Sequence, residues 1–253
     1  MLATRRPRAL TGPGAFADAV GRAIALRGPS VCAVCRGWGR GRICAGCLDR
    51  FAAPVPRCGR CALPLAASLA VCGTCLTAPP PFDAALAAVD YRPPWDRLVT
   101  GFKFHGALDL AAVFADAIVG AERRRAAARP QLLLPVPLGA ARGRERGYNQ
   151  AWELARRVAR PLDVVAEPEL LLRVRDTAHQ LALPLAERAG NVRGAFAVEP
   201  RRRAELRGRH VAIVDDVMTT GSTAAEIAGV LRQAGAATVE IWVLARTPRP
   251  GDA

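Results

Sequence analysis

Val211-Ala212-Ile213-Val214-Asp215-Asp216-Val217-Met218-Thr219-Thr220-Gly221-Ser222-Thr223 is the stretch that decides the fold. Its first four residues form a short apolar run bounded by polar residues, the pattern of a parallel strand buried on both faces. Two carboxylates follow at the place where open α/β sheets bind ligands, beyond the carboxyl ends of the strands. After the loop, Ala224, Ile227, Ala228 and Leu231 recur at helical spacing, and Gly235 suits the C-terminal cap. Small hydroxyl residues and a glycine at a helix start let backbone N–H groups and the helix dipole close around a phosphate. Asp215 and Asp216 can accept hydrogen bonds from vicinal hydroxyls, so the stretch is expected to bind a ribose 5-phosphate. A plain helix start is the simpler alternative, since Thr223 and Glu226 have capping-box spacing. It leaves the adjacent acids unexplained, because their repulsion is tolerated mainly where donors or Mg²⁺ compensate it.

Upstream, Leu132-Leu133-Leu134-Pro135-Val136-Pro137-Leu138 reads as a second buried strand, stopping at Pro137, which has no N–H to give to a ladder. Arg142, Arg144 and Arg146 then alternate with Gly143 and Gly147 in a loop suited either to pyrophosphate or to plain solvation. Tyr148-Asn149-Gln150 lead from it into a helix through Trp152, Leu154, Ala155 and Val158. A polar stretch with Arg175, Thr177, His179, Gln180, Arg188 and Asn191 precedes the strand-like Ala195-Phe196-Ala197-Val198 and has the length of a lid. His179 alone is more often an ordinary loop residue than a base.

All eight cysteines lie between residues 32 and 75, as four Cys-x2-Cys pairs: Cys32/Cys35, Cys44/Cys47, Cys58/Cys61 and Cys72/Cys75. Each pair can point two thiolates at one tetrahedral ion, and two pairs complete a closed site with no position left for water. Two structural zinc ions are therefore expected, supplying folding free energy to a segment too short and too polar for a core of its own. Sequential pairing of the knuckles suits the spacing better than a cross-braced one, and both remain open at this point. A disulfide framework or four tandem redox pairs are the weaker alternatives.

The chain carries 36 basic and 22 acidic side chains, a net charge of +14 that suits phosphate-bearing partners, although the charge is spread along the whole length. Only one basic residue, Lys103, is a lysine. In a sequence so rich in arginine, alanine and glycine, a surviving lysine suggests a site that needs a compact ammonium. Arg5, Arg6 and Arg8 are not followed by an uninterrupted apolar stretch, and Phe16, Val20 and Ile24 fit an amphipathic helix. With no apolar run of about 18 residues, the expectation is a soluble, cytoplasmic protein without membrane contact. The organisation expected is a helical lead over 1–30, a double zinc ribbon over 31–78 and an α/β domain over 82–253, with the boundary near Pro79-Pro80-Pro81.

The Val211–Thr223 stretch resembles, over its whole length, the phosphoribosyl pyrophosphate motif of type I phosphoribosyltransferases. Together with P-V-P-L, R-G-Y-N-Q, T-x-x-Q, R-x-x-N and G-A-F, it makes the chain similar to the ComF family, competence-associated relatives of amidophosphoribosyltransferases that carry an N-terminal zinc module. The resemblance implies a Rossmann-like α/β domain with a mainly parallel sheet behind the zinc ribbons. It also implies Asp215 and Asp216 on the ribose, Met218, Thr219, Thr220, Gly221, Ser222 and Thr223 around the 5-phosphate, and Pro137, Leu138 and Arg142 on pyrophosphate bound with Mg²⁺. The segment Tyr91–Gly106, with F-K-F-H-G, links the two parts in that family and adds Lys103 to the catalytic candidates. The chain has no glutaminase domain and no N-terminal cysteine nucleophile, so purine synthesis from glutamine is not expected. Two functions follow as expectations. One is a phosphoribosyltransferase; the other is a non-catalytic adaptor for single-stranded DNA and DNA-uptake proteins.

Overall fold

The computed structural model describes residues 29–66, 69–175 and 192–248. Thr177, His179, Gln180, Arg188 and Asn191 lie outside the described residues, as does the helix expected around Phe16, Val20 and Ile24. Contacts divide the chain into a unit ending at Leu48 and a larger one beginning at Asp49.

In the smaller unit, β1 (Pro29–Val31) and β2 (Trp38–Arg40) form an antiparallel hairpin, and α1 (Ala45–Phe51) starts there. In the larger unit follow α2 (Gly73–Thr77), β3 (Ala84–Asp90), α3 (Trp95–Phe104), α4 (Ala111–Arg123) and β4 (Leu132–Pro135). Then come α5 (Ala140–Arg146), α6 (Gln150–Leu162), β5 (Val165–Ala166), β6 (Leu171–Arg173), β7 (Phe196–Val198), β8 (His210–Met218), α7 (Ser222–Gln233) and β9 (Thr238–Arg246).

Five strands make one sheet in the order β3-β9-β8-β4-β5, every neighbouring pair parallel. Both faces are covered, as a parallel sheet requires. Leu132, Leu134, Val211, Ile213, Val239, Ile241 and Val243 pack with Ala224, Ile227, Ala228 and Leu231 of α7 in one core cluster. The alternate residues Leu133, Ala212, Val214, Trp242 and Leu244 are equally buried, on the face where α4 and α6 lie. This is the doubly covered α/β architecture that the apolar runs imply.

Three details depart from the pattern in the sequence. β8 does not stop at Val214 but continues through both acids to Met218, because β9 pairs with it in register as far as Met218↔Arg246. β4 ends two residues short of Pro137, at Pro135. The capping box is not formed: α7 begins at Ser222 behind Gly221, whose φ of 84° is left-handed. Glu226 instead accepts a hydrogen bond from the Gly194 N–H at 2.6 Å.

The boundary seen in composition and the boundary seen in packing differ. The second group of cysteines belongs to the same compact unit as the sheet. Ala62, in that group, is fully buried in the main core, Ala85 N–H donates to the Gly59 carbonyl at 3.0 Å, and Arg57 pairs with Asp90 at 2.7 Å. Among described residues, no helix is long and apolar enough to cross a membrane.

Asn149 joins the end of β4 to α6. Its Oδ1 caps the helix by accepting from the N–H groups of Ala151 (2.9 Å) and Trp152 (3.3 Å), while its Nδ2 donates to the Val136 carbonyl at 3.1 Å. Asn149→Ala is expected to cost about 1–2 kcal/mol, read as a lowered midpoint in thermal unfolding.

Candidate functional site

The carboxyl ends of β3, β9, β8 and β4 open into a cleft of about 230 Å³ lined by Asp215, Asp216, Met218 to Ala224, Val136 to Leu138, Arg142 and Lys103. The structure therefore gathers, around one space, every residue expected for the ribose-phosphate site. Those residues come from three separate parts of the chain.

Asp216 is 1% exposed, and its Oδ1 lies 2.9 Å from Lys103 Nζ. Lys103 sits in the last turn of α3, whose Trp95, Leu98, Val99 and Phe102 are buried. Tyr148 OH donates to the Phe102 carbonyl, fastening that turn to the loop before α6. Burial opposes the ammonium charge, but Asp216 and then Asp215 hold Lys103 above the ordinary lysine pKa. Asp216 Oδ1 also accepts from the Val217 N–H at 2.8 Å, whereas the buried Oδ2 has no hydrogen-bond partner among the described residues. Asp215 Oδ1 accepts from the Asp216 N–H at 2.9 Å. Burial first, and the Asp216 charge second, push Asp215 up to about 8 against the pull of Lys103.

The loop itself is built on short local contacts. Thr220 Oγ1 and Ser222 Oγ are 2.8 Å apart, and the Ser222 N–H points at Thr220 Oγ1 at 3.3 Å. Gly221 supplies the left-handed residue that turns the chain from strand into helix. Three guanidiniums line the same cleft as this loop. Arg142 and Arg146 lie one turn apart on α5, and Arg173 is the last residue of β6. Arg146 is oriented by Gln150 Oε1 at 2.5 Å and by the Phe104 ring at 5.1 Å, and Arg173 lies over Phe196 at 5.3 Å. Basic groups opposite a helix N-terminus, with an acidic pair between, can hold two phosphate groups and a polyol at once.

Arg173 and Arg246 were not singled out in the sequence. Arg246 is 6% exposed and binds carbonyls on several sides: Met218 (3.0 Å), Thr247 (2.8 Å), Thr219, and Cys61 (2.9 Å). A charge closing an otherwise apolar strand was the available signal, as it was for Asp215 and Asp216.

The cysteines form two clusters by sequential pairing, Cys32/Cys35/Cys44/Cys47 and Cys58/Cys61/Cys72/Cys75, with the ligand atoms of each within 4.8 Å of one another. The cross-braced alternative is not formed. Cys35 and Cys44 sulfurs are 3.7 Å apart, and so are those of Cys61 and Cys72. A tetrahedral zinc site with bonds of about 2.3 Å requires edges of about 3.8 Å, so both clusters fit the ion. The two are built alike. The residue after each first knuckle, Arg36 or Ala62, has positive φ and donates its N–H to the carbonyl of Cys32 or Cys58. The N–H of Cys44 donates to Cys32 Sγ and that of Cys72 to Cys58 Sγ, each at 3.3 Å. Burial opposes ionisation, but such N–H donors bring Cys32 down to about 6 and Cys58 to about 7. Burial and the neighbouring thiols push Cys47 up to about 12, a cost that a bound dication removes.

Fold and site define a domain of the phosphoribosyltransferase type, and residues 145–252 match the family described as phosphoribosyl transferase domain. The chain is 37% identical over 229 residues to DNA utilization protein YhgH of Salmonella typhimurium, covering 87% of this chain and 98% of that protein. It is 35% identical over 226 residues to the Escherichia coli K12 protein of the same name, with the same coverage. Competence protein F of Haemophilus influenzae is 34% identical over 222 residues, covering 85% and 96%. The chain belongs to the ComF family, to which these relatives belong. The matched domain begins at residue 145, so Lys103 and its helix reach the cleft from outside it.

Two outcomes test the electrostatics. Lys103→Met leaves Asp216 buried without its cation and is expected to cost about 3 kcal/mol; Lys103→Met/Asp216→Asn should recover most of it in denaturant unfolding. Because the folded pKa of Asp215 is raised, its stabilising contribution is full below about pH 4 and is lost as pH rises through about 8. Asp215→Asn should therefore gain in thermal midpoint over the wild type progressively between pH 5 and 9.

Proposed function

We propose that the protein binds phosphoribosyl pyrophosphate, or a closely related ribose phosphate, together with Mg²⁺. The observation that carries this reading is the buried Asp216 carboxylate with an uncommitted Oδ2, one strand turn from a hydroxyl-rich loop at the start of a 12-residue helix. A phosphate alone would need the loop but not the acids; a polyol alone would need the acids but not the loop.

In this reading, the N–H and hydroxyl groups of residues 219–223 hold the 5-phosphate, and Met218 packs beneath them. Asp215 and Asp216 accept from the ribose hydroxyls, with Lys103 holding Asp216 ionised. Pro137, Leu138 and Arg142 receive the pyrophosphate, whose charge bound Mg²⁺ partly neutralises. Transfer would break the bond between the anomeric carbon and the pyrophosphate oxygen, the electron pair leaving with pyrophosphate, as a nucleophile bonds to that carbon. Zinc at the two cysteine clusters is structural. We read residues 31–78 as a cysteine module whose second half packs with the ligand-binding domain over 82–253, the whole working in the cytoplasm.

The names of the relatives favour a second reading. DNA utilization and competence point to handling of incoming DNA, in which the domain would serve as an adaptor for single-stranded DNA and uptake proteins. Binding of that kind weakens steeply with salt as counterions return to the phosphates.

Calorimetric titration of the zinc-loaded protein with phosphoribosyl pyrophosphate and Mg²⁺ tests the first reading. Saturable binding is expected in the wild type, weakened by about tenfold or more in Asp215→Asn/Asp216→Asn, on the order of one lost charge-assisted hydrogen bond. No binding to the wild type would sink it and leave the adaptor.

A further inference from the structure

We propose that Arg246 couples the second cysteine cluster to the phosphate loop, so that metal at Cys58/Cys61/Cys72/Cys75 sets the conformation with which the loop meets its ligand. The inference rests on the ribose-phosphate reading for the identity of that ligand and adds a control on the site.

One guanidinium spans the two. Its Nε donates to the carbonyl of Cys61, a residue of the metal cluster, at 2.9 Å. Its Nη1 donates to the carbonyls of Met218, the last residue of β8, at 3.0 Å and of Thr219, the first residue of the loop. The Met218 carbonyl also accepts from the Thr247 N–H at 3.0 Å. In a trans peptide the C=O and the following N–H point in opposite directions. Turning the Met218 and Thr219 carbonyls back onto Arg246 therefore aims the N–H groups of Thr219 and Thr220 away from it, and both residues line the cleft. The same cation that fixes the carbonyls thus orders donors for an anion on the other side.

The metal end of this link is anchored as firmly as the loop end. Ala62, next to Cys61, is fully buried in the main core with a left-handed φ of 58°. Its carbonyl accepts from Arg57 at 3.2 Å, and Arg57 is paired with Asp90 at the end of β3. Without an ion, nothing bridges the four sulfurs that the cluster holds within 4.8 Å of one another, and the compact cluster loses its tie. Its opening would carry the Cys61 carbonyl away from Arg246. An arginine is needed for this geometry, because a planar fork reaches carbonyls on several sides while an ammonium is a point donor.

The experiment uses the full-length, zinc-loaded protein and measures amide hydrogen exchange over residues 218–224, with β4 as the reference for the intact sheet. In Arg246→Lys, exchange of the loop should rise about tenfold while β4 keeps its protection. If the link runs both ways, the same variant should hold one of its two zinc equivalents about fivefold more weakly than the wild type at equilibrium with a chromophoric chelator. A second arm needs no substitution. The wild type is stripped stepwise by chelator, with alkylation reporting which cysteines have lost metal. Loop exchange rising in step with alkylation of Cys58 to Cys75 supports the coupling. Loop exchange indifferent to that alkylation, or unchanged in a folded Arg246→Lys protein, overturns it. Neither readout contains a ligand, so this test and the titration with phosphoribosyl pyrophosphate fail independently.

Discussion

A carboxylate that is almost wholly removed from water has to be compensated, and much of this structure follows from how Asp216 is compensated. The strand that carries it cannot end early, because the in-register pairing of β8 with β9 holds the acids at the mouth of the sheet. The ammonium that answers it comes from α3, more than a hundred residues earlier in the chain. That helix is in turn held by its packed aromatic face, Trp95 and Phe102 against Phe114, and by Tyr148 on the Phe102 carbonyl. The compensation is incomplete by one oxygen: the buried Oδ2 has no hydrogen-bond partner among the described residues.

The loop beside it is ordered from behind by a cation and in front by hydroxyls. Arg246 closes β9 as Asp215 and Asp216 nearly close β8, so the two central strands deliver opposite charges to the same edge. Carbonyl dipoles of Cys61, Met218, Thr219 and Thr247 help to stabilise the buried guanidinium.

The cysteine modules show one solution used twice, with the same left-handed residue, the same turn and the same N–H to sulfur contact at Cys32 and at Cys58. Their surroundings differ. The second is seated in the core of the sheet domain through Ala62, and the Cys61 carbonyl faces Arg246. A module whose spacing reads only as a metal staple is packed behind the loop of the candidate site.

The strand, the acids, the hydroxyl loop and the helix after it were legible in the sequence because each rests on local chemistry: apolar runs, a positive-φ glycine, helical spacing. The eight cysteines were legible for the same reason, and their spacing favoured the sequential pairing found in the structure without excluding a cross-braced one. Lys103 stood out by composition alone, and only the fold gave it a partner. Arg173 was invisible, as one arginine among 35 carries no signal in a linear text, and Arg246 offered only its place at the end of an apolar strand. What tertiary structure alone decided is which charges meet. Coulombic and hydrogen-bond partners are set by strand order and register across separations of 27 to 185 residues, and no local pattern encodes them.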